Sequence, residues 1–103
     1  MRIPGRYFVY ITTNQDRTVL YTGITNDLAI RAAQHQWDAL FGGEHFTGKY
    51  QAFYVVYYEV FHDVKAAIAR EKEIKGWRRS KKLDLIKTVN AEMSFLNEEW
   101  DGI

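Results

Sequence analysis

The side chains in this sequence best suited to chemistry are two tyrosines, an arginine with a histidine, and one glutamate. Tyr10 ends the segment YFVY, and Tyr21 opens the segment YTG. Arg31 and His35 are spaced four apart, which places them on one face of a helix. Glu71 lies in a segment rich in lysine and arginine. A guanidinium binds anions, a carboxylate binds cations, and a phenol with a pKa of about 10 needs nearby positive charge to act as a base.

Each of these residues also has a plain structural explanation. The two tyrosines are aromatic residues of the kind that β-strands favour. Arg31 could be a solvated helix residue, and His35 a surface residue that titrates near about 6.5. Glu71 precedes Lys75 by four positions, and such a pair stabilises a helix by only about 0.2–0.5 kcal/mol. No single residue therefore identifies a function.

Length and composition favour one soluble, globular domain spanning residues 1–103, with 47% hydrophobic and 26% charged residues. No apolar run approaches the roughly 20 residues that cross a bilayer. The N-terminus lacks the apolar core of a signal peptide and the chain has no cysteine, so we expect a cytoplasmic protein. Cysteine nucleophiles and thiolate zinc sites are excluded, and phosphate-loop, G-x-S-x-G and H-E-x-x-H motifs are missing.

Charge is unevenly distributed along the chain. The net charge is only +1, but seven of the fourteen basic residues fall between Arg70 and Lys82. The segment EMSFLNEEWD, in contrast, carries four acidic residues and no basic one. The basic stretch could contact nucleic acid or could form a solvated helix face.

Two strands and a helix are predicted in the first half of the chain. YFVYI and VLYTGI are rich in aromatic and β-branched residues, and the turn formers Asn14 and Asp16 lie between them, which predicts a hairpin. A helix follows from an N-cap at Asn26 or Asp27 and ends before Gly42.

The second half is predicted to contribute one strand and two helices. QAFYVVYYEV is the strongest strand candidate, and its apolar character favours a central place in the sheet. A helix begins after Asp63 and covers DVKAAIAREKEIKGWRR, with Val64 and Ile68 on its apolar stripe. A last helix is predicted from Lys81 to Val89, and NAEMSFLNEEW is expected to help cover the core. The fold class is α+β, with a small, mainly antiparallel three-stranded sheet flanked by helices in the order β-β-α-β-α-α.

Taken in order, these features resemble the GIY-YIG nuclease family. The likeness rests on FVY ending at Tyr10, on YTG, on the Arg31 and His35 pair, on FTGKY and on AIAREKEIKGWRR. It covers roughly residues 7–96 and is greatest to the small single-domain branch related to the N-terminal nuclease domain of bacterial excision repair. The resemblance implies the GIY-YIG fold and a metal-dependent endonuclease that cuts DNA.

The resemblance also implies roles for the individual residues. Tyr10 and Tyr21 would line the catalytic face, one of them as the general base on the attacking water. Arg31 would bind the scissile phosphate, His35 fills the position four residues later, and Glu71 would be the single protein ligand of Mg²⁺ or Mn²⁺. A fixed guanidinium and a metal ion suit the charge that develops on phosphoryl oxygens. We further expect nucleic acid to be contacted by Lys49, Arg70, Lys75, Arg78, Arg79 and Asn90.

The sequence departs from the family pattern at several positions. The first motif reads Phe8-Val9-Tyr10 and the second has Thr22 in place of isoleucine. Related repair nucleases carry a lysine where this chain has Ile24, and Lys49 is the basic residue that could replace it. The segment NAEMSFL keeps Asn90 and Leu96 of the pattern but lacks its proline, tryptophan and aspartate.

Three functions are compatible with these features. The first is an endonuclease selective for DNA structure rather than sequence, because a chain this small has little surface for reading base edges. The second is a nucleic-acid-binding module of the same fold whose catalysis is weak or lost. The third is a protein-interaction domain, favoured if both tyrosines are fully buried with no cleft beside them.

Overall fold

A computed structural model describes residues 5–41 and 51–97 of the chain. These residues form three strands and three helices in the predicted order β-β-α-β-α-α, which confirms the α+β fold class. The strands are β1 (Tyr7–Thr13), β2 (Leu20–Thr25) and β3 (Tyr54–Phe61), and the helices are α1 (Leu28–Phe41), α2 (Val64–Lys75) and α3 (Arg79–Lys87). Within the described ranges, no helix is both long and apolar enough to cross a membrane.

The sheet is antiparallel, with β1 at its centre and the strand order β2-β1-β3. The expectation that the apolar segment of β3 would be central was therefore wrong. Residues 8–13 of β1 are all buried, because neighbours flank this strand on both sides, whereas Val60 of β3 is 44% exposed. β3 is an edge strand, and its apolar residues lie on both of its faces.

Helices cover both faces of the sheet, and the alternation along β1 divides the core into two parts. Phe8 and Tyr10 pack with Leu28 and Ala32 of α1 on one face. Val9, Ile11 and their neighbours pack on the other face with residues of α2 and α3, namely Ala67, Ile74 and Ile86. The tyrosine of the first motif thus lies under α1.

Polar side chains fix the ends of these elements. Asn14 accepts hydrogen bonds from the backbone N–H groups of Thr18 at 2.8 Å and Val19 at 3.2 Å, which closes the hairpin. Of the two candidate N-caps of α1, it is Asp27 whose carboxylate accepts from the N–H of Ile30. Asp63 caps α2 in the predicted way, by accepting from Lys65.

Several predicted boundaries differ from the structure. β3 begins at Tyr54 because Gln51 has a positive φ of 56° and lies in a turn. α2 ends at Lys75, where Gly76 donates to the carbonyl groups of the last turn. α3 begins and ends two residues earlier than the predicted range 81–89.

The segment after α3 covers the core, as predicted, as far as residue 97. Met93 is buried, and the ring of Phe95 stacks on Tyr54 with their centroids 4.0 Å apart. Asn97 accepts a hydrogen bond from the N–H of Val55 and so attaches this segment to the start of β3.

Candidate active site at the edge of the sheet

A buried hydrogen bond joins the first motif to α1. The phenol oxygen of Tyr10 lies 2.9 Å from Nε2 of His35, and the two residues are 1% and 6% exposed. His35 shares the buried side of α1 with Leu28 and Ala32, at positions i, i+4 and i+7. Burial raises the pKa of Tyr10 far above its ordinary value of about 10, so this phenol stays protonated at neutral pH.

Tyr21 completes a cluster of three rings. Its centroid lies 6.4 Å from that of Tyr10 and 5.7 Å from that of His35, with the imidazole nearly perpendicular to it at 75°. In contrast to Tyr10, Tyr21 is only partly buried. Of the two motif tyrosines, Tyr21 is therefore the one that solvent or a substrate can reach.

Gly23 makes room for the ring of Tyr10. The two residues are paired across β1 and β2, and the phenol lies over the glycine. A Cβ at position 23 would overlap the Tyr10 hydroxyl and lie 2.5 Å from Cζ, a separation that real Cβ atoms do not show. The glycine of the second motif is thus required by the tyrosine of the first.

Two opposite charges act on the Tyr10 phenol from different helices. Burial and the neighbouring Tyr21 raise the pKa of Tyr10, the Arg31 guanidinium lowers it, and the Glu71 carboxylate raises it further. Both charged groups therefore lie within electrostatic range of this hydroxyl. Tyr10, Tyr21 and His35 thus form one cluster of rings, and Arg31 and Glu71 both act electrostatically on the Tyr10 phenol.

Glu71 is the candidate metal ligand, and its surroundings fit one type of ion. The described residues contain no cluster of three His, Cys, Asp or Glu side chains. The Glu71 side chain is 14% exposed, and its Oε2 lies 3.2 Å from Nζ of Lys75. A hard ion such as Mg²⁺ keeps several waters and is often held by one or two carboxylates. A hydrated divalent ion on Glu71 therefore suits the donors present, whereas an ion that needs several protein ligands does not.

Two residues predicted to contact nucleic acid are occupied within the fold. Arg70 donates to both carboxylate oxygens of Glu59, at 3.0 and 2.9 Å, and to Glu73 at 2.7 Å. Asn90 is buried and donates to the carbonyl groups of Val56 and Ser94. Because these contacts use the donor groups that a phosphate would need, we assign Arg70 and Asn90 to the stability of the fold and not to DNA binding.

The other predicted contacts lie at the junction of α2 and α3. Lys75, Arg78 and Arg79 are exposed there, and Arg79 donates to the carbonyl of Arg17 at 2.9 Å. Arg78 and Arg79 lie at the start of α3, where positive charge opposes the helix dipole, so the dipole of α3 does not account for them. Lys49 lies outside the described residues.

Sequence reasoning misassigned two residues near the site. Val64 and Ile68 were placed on the core stripe of α2, but they are 38% and 39% exposed and line a cavity beside Arg31. Together with Glu71 and Lys75 they follow the spacing i, i+4, i+7 and i+11, which places all four on one side of the helix. The continuation of the stripe into charged residues was the available signal that this side is not wholly buried.

Comparison with known proteins shows the family to which the chain belongs. The model of the GIY-YIG catalytic domain matches residues 6–84. The chain belongs to the GIY-YIG family. UPF0213 proteins from Staphylococcus aureus strains Mu50 and N315 are each 37% identical to it over 81 residues, which is 79% of this chain and 94% of theirs.

A solved structure supports the same assignment. The solution NMR structure of a UPF0213 protein from Bacillus halodurans is 27% identical in sequence and superposes with a TM-score of 0.54, covering 94% of this chain and 97% of that one. The resemblance inferred from the motifs is thus confirmed, as is the fold. Membership of this family places the chain among domains of the nuclease type, with nucleic acid as the implied substrate.

Proposed function

We propose that this chain is a metal-dependent endonuclease that hydrolyses phosphodiester bonds in DNA. The observation that carries the proposal is the convergence on Tyr10: its phenol is bonded to His35, lies beside Tyr21, and is within electrostatic range of Arg31 and Glu71. These residues come from four different elements of the fold. A solvated surface would not need such a convergence, whereas phosphodiester hydrolysis requires a base, an anion-binding group and a cation together.

The two tyrosines have different roles in this proposal. Tyr21 is the general base, because it is only partly buried and can contact the attacking water. Tyr10 is a positioning residue: its protonated phenol bonds to His35 and fixes the imidazole near Tyr21. The phenolate is the form of a tyrosine that can accept a proton, and in this proposal Arg31 is the cation that favours it.

Arg31 and Glu71 have complementary roles. Arg31 is exposed and binds the scissile phosphate, whose developing charge its guanidinium opposes. Glu71 holds the divalent ion, Mg²⁺ or Mn²⁺, which when bound supplies Lewis-acid stabilisation of the phosphate. The Lys75 ammonium, 3.2 Å from Oε2 of Glu71, competes with the divalent ion for this carboxylate.

The exposed cations Lys75, Arg78 and Arg79, with Lys49, would bind DNA phosphates outside the reaction centre. Phosphate contacts position a strand but carry no sequence information, which supports selection of DNA structure over sequence. The family likeness to excision-repair nucleases supports a cytoplasmic role in DNA repair.

A cleavage assay with matched variants tests the proposal. Nicked, flapped, branched and single-stranded DNA are incubated with the wild type and with Tyr21→Phe, Arg31→Ala and Glu71→Gln, in Mg²⁺ or Mn²⁺. Each substitution is expected to lower the rate by roughly a hundredfold or more. Glu73→Gln is the control, since this carboxylate is on the same helix but is 55% exposed and paired with Arg70. Cleavage that persists in all three variants would reject the proposed site.

A nucleic-acid-binding module without catalysis is the second candidate. The ion pair of Glu71 with Lys75 favours it, because a carboxylate neutralised in this way needs no metal. This candidate predicts salt-dependent DNA binding, with no cleavage under any metal condition. The protein-interaction alternative is not favoured, since Tyr21 is partly accessible and a cavity opens beside Arg31.

A further inference from the structure

An open cavity of about 310 Å³ lies between β2, α1 and α2. Four of its lining side chains are apolar or aromatic: Tyr7, Ile24, Val64 and Ile68. The remaining wall consists of Thr25, Asn26 and Arg31. Arg31 also lines a second hollow, which shares Thr25 and Asn26 with the first and adds Asp27, Ile30 and Gln34. The exposed Arg31 side chain therefore belongs both to a cavity with an apolar wall and to a more polar hollow.

The apolar wall is exposed rather than closed by the fold. Val64 and Ile68 are 38% and 39% exposed, and Tyr7 and Ile24 are partly buried. Tyr7 and Ile24 also pack against the core, whereas Val64 and Ile68 present apolar surface to solvent in the same cavity as the Arg31 cation.

Charged residues of α2 follow the apolar wall of this pocket on the same side of the helix. Val64, Ile68, Glu71 and Lys75 lie on one side of the helix, so the apolar wall leads directly to the proposed metal ligand and then to a cation. A ligand in this cavity would contact the apolar wall and Arg31 together, and a ligand extending along the same side of α2 would then reach Glu71 and Lys75.

We infer that this pocket receives an unpaired nucleobase adjacent to the phosphate bound by Arg31. A nucleotide combines a flat apolar base with an anionic phosphate, and the cavity offers an apolar wall with an aromatic ring beside a guanidinium. The amide of Asn26 supplies donors and an acceptor for the edge of the base. The inference rests on the proposed function, and it specifies the substrate as single-stranded or locally unpaired nucleic acid.

A paired base does not fit this pocket. In a duplex the faces of the bases are stacked on one another, so only their edges are accessible to protein. Contact between a base face and the wall formed by Val64 and Ile68 requires a base that has left the stack, as in a single strand or a loose end.

A binding experiment in the absence of divalent metal tests the inference without requiring catalysis. The probes are a fluorescent hexathymidylate, a hexanucleotide backbone with abasic sites throughout, and a blunt duplex. The proteins are the wild type, Ile68→Gln, Val64→Gln and Arg31→Ala, with Val89→Gln as the control because Val89 is 74% exposed on the surface and lies outside this cavity. Glutamine is a good helix former, and circular dichroism verifies that each variant is folded.

The affinities form a thermodynamic cycle in which the bases and the pocket side chains are removed separately and together. The wild type binds hexathymidylate about tenfold more tightly than the abasic backbone, and Ile68→Gln and Val64→Gln lose most of this difference. They leave the affinity for the abasic backbone and the duplex unchanged, as does Val89→Gln for every probe. Arg31→Ala weakens the binding of both hexamers.

The contrary outcomes separate the two proposals. If the wild type binds hexathymidylate and the abasic backbone equally, or if the pocket variants weaken both to the same degree, the base pocket is rejected while the proposed nuclease site stands. If the wild type binds none of the probes, or if Arg31→Ala binds them all as the wild type does, the proposed function fails and the pocket inference fails with it.

Discussion

The phenol oxygen of Tyr10 lies 2.9 Å from Nε2 of His35, and both side chains are almost completely buried. Burial keeps the phenol protonated, and the tautomer of the imidazole decides which of the two groups donates in this hydrogen bond. The hydrogen bond connects the central strand to α1 and orients a ring that touches Tyr21. Tyr10 of the first motif thereby positions the imidazole of His35, while Tyr21 of the second motif supplies the hydroxyl that solvent can reach.

The stability of the fold is predicted to decrease at high pH through Tyr10. Its pKa is raised in the folded state, so above about pH 10 the unfolded chain loses this proton while the folded chain keeps it. The contribution of this proton to the free energy of unfolding is complete below pH 10. It is lost as the pH rises toward the pKa of Tyr10 in the folded state, at about 1.4 kcal/mol per pH unit. Urea unfolding of the wild type and of Tyr10→Phe between pH 8 and 11 measures it.

The variant should show a shallower slope above pH 10, but not a flat one, since burial also raises the pKa of Tyr57. Tyr10→Phe is further expected to cost about 1–2 kcal/mol at neutral pH, because it leaves Nε2 of His35 without this partner. Parallel slopes for the two proteins would show that Tyr10 is not held protonated in the fold.

Gly23→Ala is predicted to destabilise the fold through Tyr10. The new methyl group would overlap the phenol, and displacing a buried ring costs roughly 1–3 kcal/mol. The same substitution in a Tyr10→Ala background should cost clearly less, because the clashing ring is absent. Chemical unfolding of the four proteins gives the coupling energy, and additive costs would contradict the proposed overlap.

The fold could be read from the sequence largely because its signals are local. Asn14 closes the hairpin and Asp27 and Asp63 cap helices through contacts within five residues of themselves, so each signal works without the rest of the chain. The central position of β1 is different. The strand order depends on which strands pair. The apolar content of β3 indicates that its residues are buried, but it does not indicate whether neighbouring strands or helices bury them.

The site was predictable only in part, for the same physical reason. Residue types and their order indicated Tyr10, Tyr21, Arg31, His35 and Glu71, but their roles depend on burial. Nothing local shows that Tyr10 is more buried than Tyr21, or that Arg70 is held by Glu59 across a strand and a helix. Nor does the helical stripe of α2 reveal that Ile68 lines a cavity.

Arg70 is predicted to stabilise the fold rather than to bind DNA. The Arg70 side chain is 25% exposed, and its guanidinium is paired in bidentate fashion with Glu59 and lies 5.1 Å from the centroid of the Trp77 ring. Arg70→Ala should lower the free energy of unfolding by about 1–3 kcal/mol, because it leaves a partly buried carboxylate without its partner. DNA affinity should stay within about twofold of the wild type.

Arg78→Ala is the matched comparison for Arg70. Arg78 is exposed and none of the described side chains accepts from it, so its removal should leave stability nearly unchanged. It should instead reduce the slope of log affinity against log salt by about 0.9, the value of one phosphate contact. A salt slope that falls for Arg70→Ala and not for Arg78→Ala would reverse the two assignments.

Lys75 is predicted to compete with the divalent ion for Glu71. Its ammonium lies 3.2 Å from the carboxylate, so metal binding must displace it and overcome its repulsion. Lys75→Met should therefore bind Mn²⁺ about fivefold more tightly, consistent with an ion pair worth up to about 1 kcal/mol. Paramagnetic resonance of free Mn²⁺ measures this affinity directly.

Lys72→Met, which removes a charge from the same helix without breaking that pair, is the control and should change the affinity much less. If Glu71→Gln binds Mn²⁺ as the wild type does, the ion lies elsewhere. If Glu71→Gln weakens binding but Lys75→Met does not strengthen it, the ion pair imposes no barrier to the metal.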